Sequence, residues 1–239
     1  MVFETRQSPQ EQPAYRGAQV AHILALPYGT VMAWSFGQDY KQRRDGSRKR
    51  FVALIEPADV RGKLLSFTNL CELHLLASIR RRHRVPMAGV RKAVDYIRRS
   101  LGVDRPLASS QFLTNGVALF VEQAGLLLNV SDSGQQAMRE DFERALTRIE
   151  YSANGAPVVL FPYTRAPAEA AASRDQPRTV LIDPRRSFGR PVLAGAYVRT
   201  EVIEDRFRAG DSIADMARDY GVQSSAVEEA LRFESRRAA

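Results

Sequence analysis

The sequence predicts an α+β chain, mainly α: an N-terminal winged helix-turn-helix with support helices, a small central α/β hairpin region, and a C-terminal helix-turn-helix. Three observations carry this. Two short apolar periods are followed at once by a basic hairpin signal at 41–50. Long stretches of helical period then run from about 67 to 101. Near the other end, two capped helical periods are separated by a tight break at Gly221.

After a polar arm, Val20, Ile23 and Leu24 mark a short helix over Ala18–Leu24. Pro27 breaks it, and Val31 with Trp34 gives a second short helix facing the same core. Asp45-Gly46 is a hairpin-turn signal flanked by Lys41, Arg43, Arg44, Arg48, Lys49 and Arg50. Phe67, Leu70, Leu73 (or His74) and Ala77 share one face of a longer helix that ends in Arg80, Arg81, Arg82 and Arg84. Pro86 then suits a helix first turn, followed by Val90, Ala93, Val94, Ile97 and Leu101.

From 106 the texture changes. Asn115-Gly116 and Gln123-Ala124-Gly125 sit between apolar runs, which reads as a β-hairpin or small meander. A helix over about 136–148 follows, then a hairpin around Asn154-Gly155. Residues 164–178 hold Ala, Pro and charge without large apolar side chains, the texture of a linker. The expected division is therefore 1–105, 106–163, a linker at 164–178, and 179–239.

The last segment opens with the β-branched run TVLIDP and a turn-rich FGRPVLAG. Ile213, Met216, Ala217 and Tyr220 form one apolar helical face, started by a Ser212/Asp215 capping box and stopped by Gly221. A second box, Ser225 with Glu228, is expected to start the next helix, with Val227, Ala230 and Leu231 buried.

The chain of 239 residues has a formal net charge of +8 and a pI near 10.0. Residues 1–105 carry 19 Lys/Arg against 9 Asp/Glu, so the whole excess lies in that part. A segregated basic surface is the footprint of phosphate binding, and double-stranded DNA is the expected partner. No apolar stretch approaches the roughly 20 residues of a membrane span. One cysteine, Cys71, excludes an internal disulfide and fits a reducing cytoplasm.

The basic hairpin could be a solvated loop, but the two helices before it favour a wing laid along DNA phosphates. Tyr28, Thr30 and Met32 would then be exposed at the start of the reading helix. Arg80 and Arg81 either compensate a helix dipole or add phosphate contacts. The C-terminal helix pair carries Glu228 and Glu229, which repel phosphate, so it reads as a module for protein docking or for dimerisation, with a homodimer expected. Catalytic and metal sites are expected to be none, and no cofactor is called for. His22, His74 and His83 have no ligand spacing, and Cys71 with His74 reads as a packed pair rather than a metal site. No phosphate-cradling glycine loop or nucleophile elbow occurs. An enzyme built around 106–163 would lack catalytic residues.

The stretch from VLIDPRRSFGRPVLAG to AVEEALRFE resembles the small domain of VapB-like antitoxins, whose partners are VapC-type ribonucleases of the PIN class. The stretches YRGAQVAHILALPYGTVMAW and LLSFTNLCELHLLASIRRRHRVPMAGVRKAVDYI resemble MerR-type regulators. The resemblance implies a non-enzymatic antitoxin that represses its own operon and masks a ribonuclease toxin. The alternative is a MerR-like regulator with an oligomerisation module and no toxin. A PIN active site is rich in carboxylates, so Arg232, Arg236 and Arg237, with Phe233 as an aromatic anchor, are the expected toxin contacts.

Overall fold

The computed structural model describes residues 8–42, 46–83, 87–128, 131–165 and 176–236. The chain begins with β1 (Tyr15–Arg16), α1 (Gly17–Leu24) and α2 (Tyr28–Phe36). The hairpin β2 (Gln38–Lys41) and β3 (Arg48–Phe51) follows, then β4 (Leu64–Leu65), which returns antiparallel to β1. Helices α3 (Phe67–His83), α4 (Met87–Leu101), α5 (Val117–Leu128) and α6 (Asp132–Leu146) build the middle of the molecule. A second hairpin, β5 (Ile149–Tyr151) and β6 (Pro157–Leu160), leads to the pair β7 (Val180–Leu181) and β8 (Val192–Leu193). Helices α7 (Thr200–Arg208), α8 (Ile213–Tyr220) and α9 (Ser224–Glu234) finish the described chain.

Helix α3 is the axis of the fold. Its sequence pattern predicts one apolar face, yet every residue from Phe67 to Ser78 is buried. A helix covered all round must satisfy its polar side chains internally. Asn69 does so fully: its carbonyl accepts from the Ala58 and Ser66 amides at 3.0 and 3.1 Å, and its amide donates to the Glu56 carbonyl and the Glu72 carboxylate at 2.7 and 3.0 Å. His74 is held by the Ala145 carbonyl at 3.1 Å and stacks on Tyr163, while Cys71 is a buried free thiol. Burial pushes the Glu72 carboxyl up to about 7 against the opposing pull of Arg105, 3.7 Å away.

The central region departs from the hairpin expectation. Residues 112–128 are helical throughout: a single wide turn, Phe112–Gly116, runs into α5. Phe112, Val117, Phe120, Val121 and Ala124 are buried at helical spacing, and Phe112, Phe120 and Phe142 pack edge to face at 5.0–6.4 Å. The two glycines that signal turns are there for space. A Cβ on Gly116 would stand 2.5 Å from the Phe112 ring, and one on Gly125 would stand 2.6 Å from Gln135 of α6. Glycine at such contacts lets elements approach closely, and its turn-forming freedom goes unused. The later hairpin does form, with Gly155 at φ +80° in the turn.

One core cluster runs from Tyr15 to Ile182 and takes in Phe233, so it crosses residue 105 without a break. A smaller cluster, centred on Leu193, Ile203, Met216, Val227 and Ala230, holds the C-terminal helices together. Ser212 caps α8 through the Asp215 amide, and Gly221 ends it in the left-handed region at φ +64°. The next helix starts one residue earlier than expected: Ser224 opens α9 and Gln223 is its N-cap, without a side-chain bond, so the Ser225/Glu228 box is not used.

Most of the expected linker, 166–175, lies outside the described residues. Its two flanks are tied down by one buried cation. Arg148 donates to the carbonyls of Phe161, Pro162, Gln176 and Pro177 at 2.6–3.2 Å. Carbonyls are a sensible set of partners for a fork of five donors.

Candidate nucleic-acid interface

Helix α1 ends at Ala25 in the left-handed region, and the Ala25 and Leu26 amides close back on His22 and Ala21 at 3.1 and 2.9 Å. Pro27, unable to continue α1, is the N-cap of α2. The two helices pack on each other through Val20, Ile23, Leu24, Val31 and Trp34, all buried. Gly17 allows the close approach: a Cβ there would stand 2.7 Å from the Met32 sulfur and 3.3 Å from the Tyr28 ring.

Tyr28 is therefore exposed at the start of α2, and Thr30 is half-buried beside it. Met32, expected on the surface, is half-buried because its thioether fills the space over Gly17. Gly37, at φ +78°, turns the chain from α2 into β2. A Cβ at that point would lie 2.7 Å from the Phe51 carbonyl, so the hairpin starts tight against the end of the helix.

The hairpin pairs Asp39 with Arg50, Tyr40 with Lys49 and Lys41 with Arg48. All six side chains are exposed. A bare two-stranded ribbon is marginal in water, so its base must be anchored. Arg91 of α4 lies over the Phe51 ring at 5.0 Å and donates to the Val52 carbonyl, and the Leu54 amide donates to the Trp34 carbonyl at 2.7 Å. The result is an open cleft lined by Gly29, Thr30, Ala33, Tyr40, Phe51 and Met87, with Lys41, Arg48, Lys49 and Arg50 on the ribbon beside it. Asp39 offsets only part of this charge, facing Arg50 at 3.8 Å in the open. Arg43 and Arg44, and the side chains of Arg80 and Arg81, lie outside the described residues.

The expected toxin-contact residues are placed differently. Phe233 is fully buried, edge-on to His22 of α1 at a centroid distance of 5.4 Å, with the Arg236 guanidinium 4.3 Å over its ring. It belongs to the core of its own chain because α9 turns that side towards α1. Arg236 is occupied as well, donating to the Phe233, Tyr163 and Ile23 carbonyls. Arg232 stays half-exposed and pairs with Glu229, while Arg237 lies outside the described residues.

Glu229, expected as a charge that repels phosphate, is buried and ties α9 to the segment that follows β6. Arg165 donates to it twice, at 3.0 and 2.6 Å, and Thr164 donates as well. Burial pushes its carboxyl up, but these bonds and Arg232 outweigh that and hold it below the ordinary value. Glu234 repeats the pattern, with burial opposed by His22 at 2.9 Å and by Thr200. The signal for both was their position on the helix stripe that also carries Val227, Ala230 and Phe233. Among the described residues no group of three or more His, Cys, Asp or Glu could hold a metal ion. No helix among them is long and apolar enough to cross a membrane.

Residues 13–94, which span α1, α2, the basic hairpin and part of α4, match a family described as "Putative DNA-binding HTH domain". Residues 180–233 match a second family, described as "Protein of unknown function (DUF433)". Over 92% of this chain and 92% of its own length, a Mycobacterium tuberculosis protein named "Putative antitoxin VapB45" is 28% identical. A second protein of that organism, uncharacterized protein Rv2308, is 25% identical over 93% of this chain and 90% of its own. The crystal structure of Rv2018 from M. tuberculosis superposes with a TM-score of 0.62, covering 92% of this chain and 98% of that one at 22% identity, which shows a common fold. The N-terminal part is thus a mainly helical module similar to DNA-binding helix-turn-helix domains, and the whole chain is similar to a protein named as an antitoxin.

Proposed function

We propose that this chain is the antitoxin of a toxin–antitoxin pair, a non-enzymatic regulator that binds its operator as a homodimer and neutralises a VapC-type PIN-domain ribonuclease. The observation that carries the DNA half is the exposed start of α2 and the cleft it forms with the base of a hairpin that carries four exposed cations. In this reading Tyr28 and Thr30 face base edges, while Lys41, Arg48, Lys49 and Arg50 lie along phosphates as a wing does in MerR-type regulators. Arg43, Arg44, Arg80 and Arg81 add to the positive charge of the same module. The toxin half is supported by the relative named VapB45 and by the charge match between arginines and a carboxylate-rich active site. Arg232 remains a candidate contact; Phe233 does not, being core.

Each phosphate neutralised contributes roughly 0.9 to the slope of log K against log salt. Changing Arg48, Lys49 and Arg50 together to Ala should therefore flatten that slope by about 2–3 on duplex DNA. An unchanged slope would place the DNA surface elsewhere. For the toxin half, the product of the adjacent gene should co-purify with this chain and lose its ribonuclease activity in the complex. An active ribonuclease in that complex would refute neutralisation, and no co-purifying product would leave a regulator without a toxin.

A further inference from the structure

The loop between β7 and β8 holds the most exposed large apolar side chain of the described residues. Phe188 is 95% exposed, at φ 54° and ψ 33°. Ser187 and Gly189 on either side are also at positive φ, 46° and 71°. A left-handed backbone costs an L-residue other than glycine roughly 1–2 kcal/mol, and an exposed phenyl returns nothing to the fold.

The loop is nevertheless held firmly. The Tyr15 hydroxyl donates to the Gly189 carbonyl at 2.9 Å, and a Cβ on Gly189 would meet that hydroxyl at 2.2 Å. Buried Asp183 accepts from the Arg185 amide at 2.9 Å and pairs with the Arg185 and Arg186 side chains at 3.0 and 3.6 Å. Arg186 in turn lies 4.2 Å over the ring of Tyr197, itself exposed. Rigid anchoring of an apolar tip that the fold does not use is what a contact residue needs.

Charge and position say what it contacts. Between Gln176 and Thr200 the sequence has five arginines and one acidic residue, and that acid is the buried Asp183. Arg185, Arg186 and Arg190 surround Phe188 along the loop, all exposed. Tyr15, which holds the loop, opens β1 directly ahead of α1, where a Cβ on Gly17 would stand 2.7 Å from Met32 and 3.3 Å from Tyr28 of α2. The cationic loop is thus bonded to the strand that leads directly into the helix pair assigned to the DNA face.

We propose that the Arg185–Arg190 loop is a second DNA-contact element, its arginines meeting backbone phosphates and Phe188 packing against exposed base surface in the groove. This rests on the DNA-binding reading of the N-terminal module. Apolar wedges of this kind unstack a base step, and flanking arginines suit the adjacent phosphates.

The test uses the full chain and a fluorescein-labelled 30-base-pair duplex of mixed sequence, with affinity followed against salt. Phe188→Ala should weaken binding at least about fivefold, since aromatic–base contacts lose about that much or more on truncation. Arg190→Ala should lower the salt slope by about one. Phe188→Gly should weaken binding similarly while leaving Tm unchanged or raised, because glycine relieves the left-handed backbone. Phe188→Trp should show acrylamide quenching that duplex DNA suppresses, against a control at Phe207, an exposed position on α7. The native Trp34 is buried and adds little quenching of its own. Wild-type affinity and slope in all the loop variants, with the hairpin variant still impaired, would overturn this inference and leave the N-terminal reading standing. A change confined to self-association or to toxin inhibition would overturn it too, as would a wild-type chain that shows no salt-dependent binding, in which case both readings fall.

Discussion

Replacing Phe233 by alanine should cost about 4 kcal/mol of folding stability. The side chain is fully buried, and truncating a core Phe typically costs roughly 3–5 kcal/mol. The upper part of that range fits, because the ring also loses its edge-on contact with His22, worth roughly 0.5–1.5 kcal/mol, and its stacking with Arg236. Urea unfolding followed by the fluorescence of the single tryptophan, Trp34, should show an unchanged m-value and a midpoint lower by more than about 1 M. The corresponding fall in Tm is about 10 °C for a chain of this size. Arg232→Ala is the control: Glu229 keeps Arg165, so a half-exposed pair is lost at a cost of about 1 kcal/mol or less. A stability loss below about 1 kcal/mol for Phe233→Ala, together with lost toxin inhibition, would refute the core placement and restore the ring as a partner anchor.

Two other outcomes follow from the same packing. Glu72 has its carboxyl raised by burial to about 7, so the stability it contributes is complete below its ordinary value near 4.5 and is lost as pH rises through about 7. Glu72→Gln should match the wild type near pH 4 and exceed it by about 3 kcal/mol at pH 8, because a tenfold change in proton affinity between the folded and unfolded chain is worth about 1.36 kcal/mol. Parallel stability curves across that range would show that the carboxyl is not perturbed. Trypsin should cut first at Arg174, between the flanks that Arg148 holds, and the two fragments should still co-elute in size-exclusion chromatography because α9 keeps Phe233, Glu229 and Glu234 docked on the N-terminal part. Separation of the fragments would mean that the C-terminal helices form an independent body.

Much of the local structure was legible in the chain because it is encoded locally. Ser212 and Gly221 bracket α8 by capping chemistry that acts within one turn. Pro27 separates α1 from α2, and Gly46 and Gly155 mark two hairpins at positive φ. The basic ribbon could be seen as well, since dense positive charge on both sides of a turn signal leaves few other structures. What the sequence could not show was which neighbour each apolar or charged residue would meet. Asn115-Gly116 has the chemistry of a turn, and only the packing of Phe112 against Gly116 makes it part of a helix. Phe233 has the chemistry of an anchor, and only the docking of α9 on α1 makes it core. Glu229 reads as surface charge until Arg165, 64 residues away, arrives beside it. Phe188 is the converse: an apolar residue in a turn-rich run that would ordinarily be sought in the core, held in water because Tyr15, from the start of the chain, bonds its neighbour Gly189. Capping and turn signals act over a few residues and survive in one dimension. Burial and ion pairing depend on contacts between segments far apart in the chain, and the tertiary structure alone decides those.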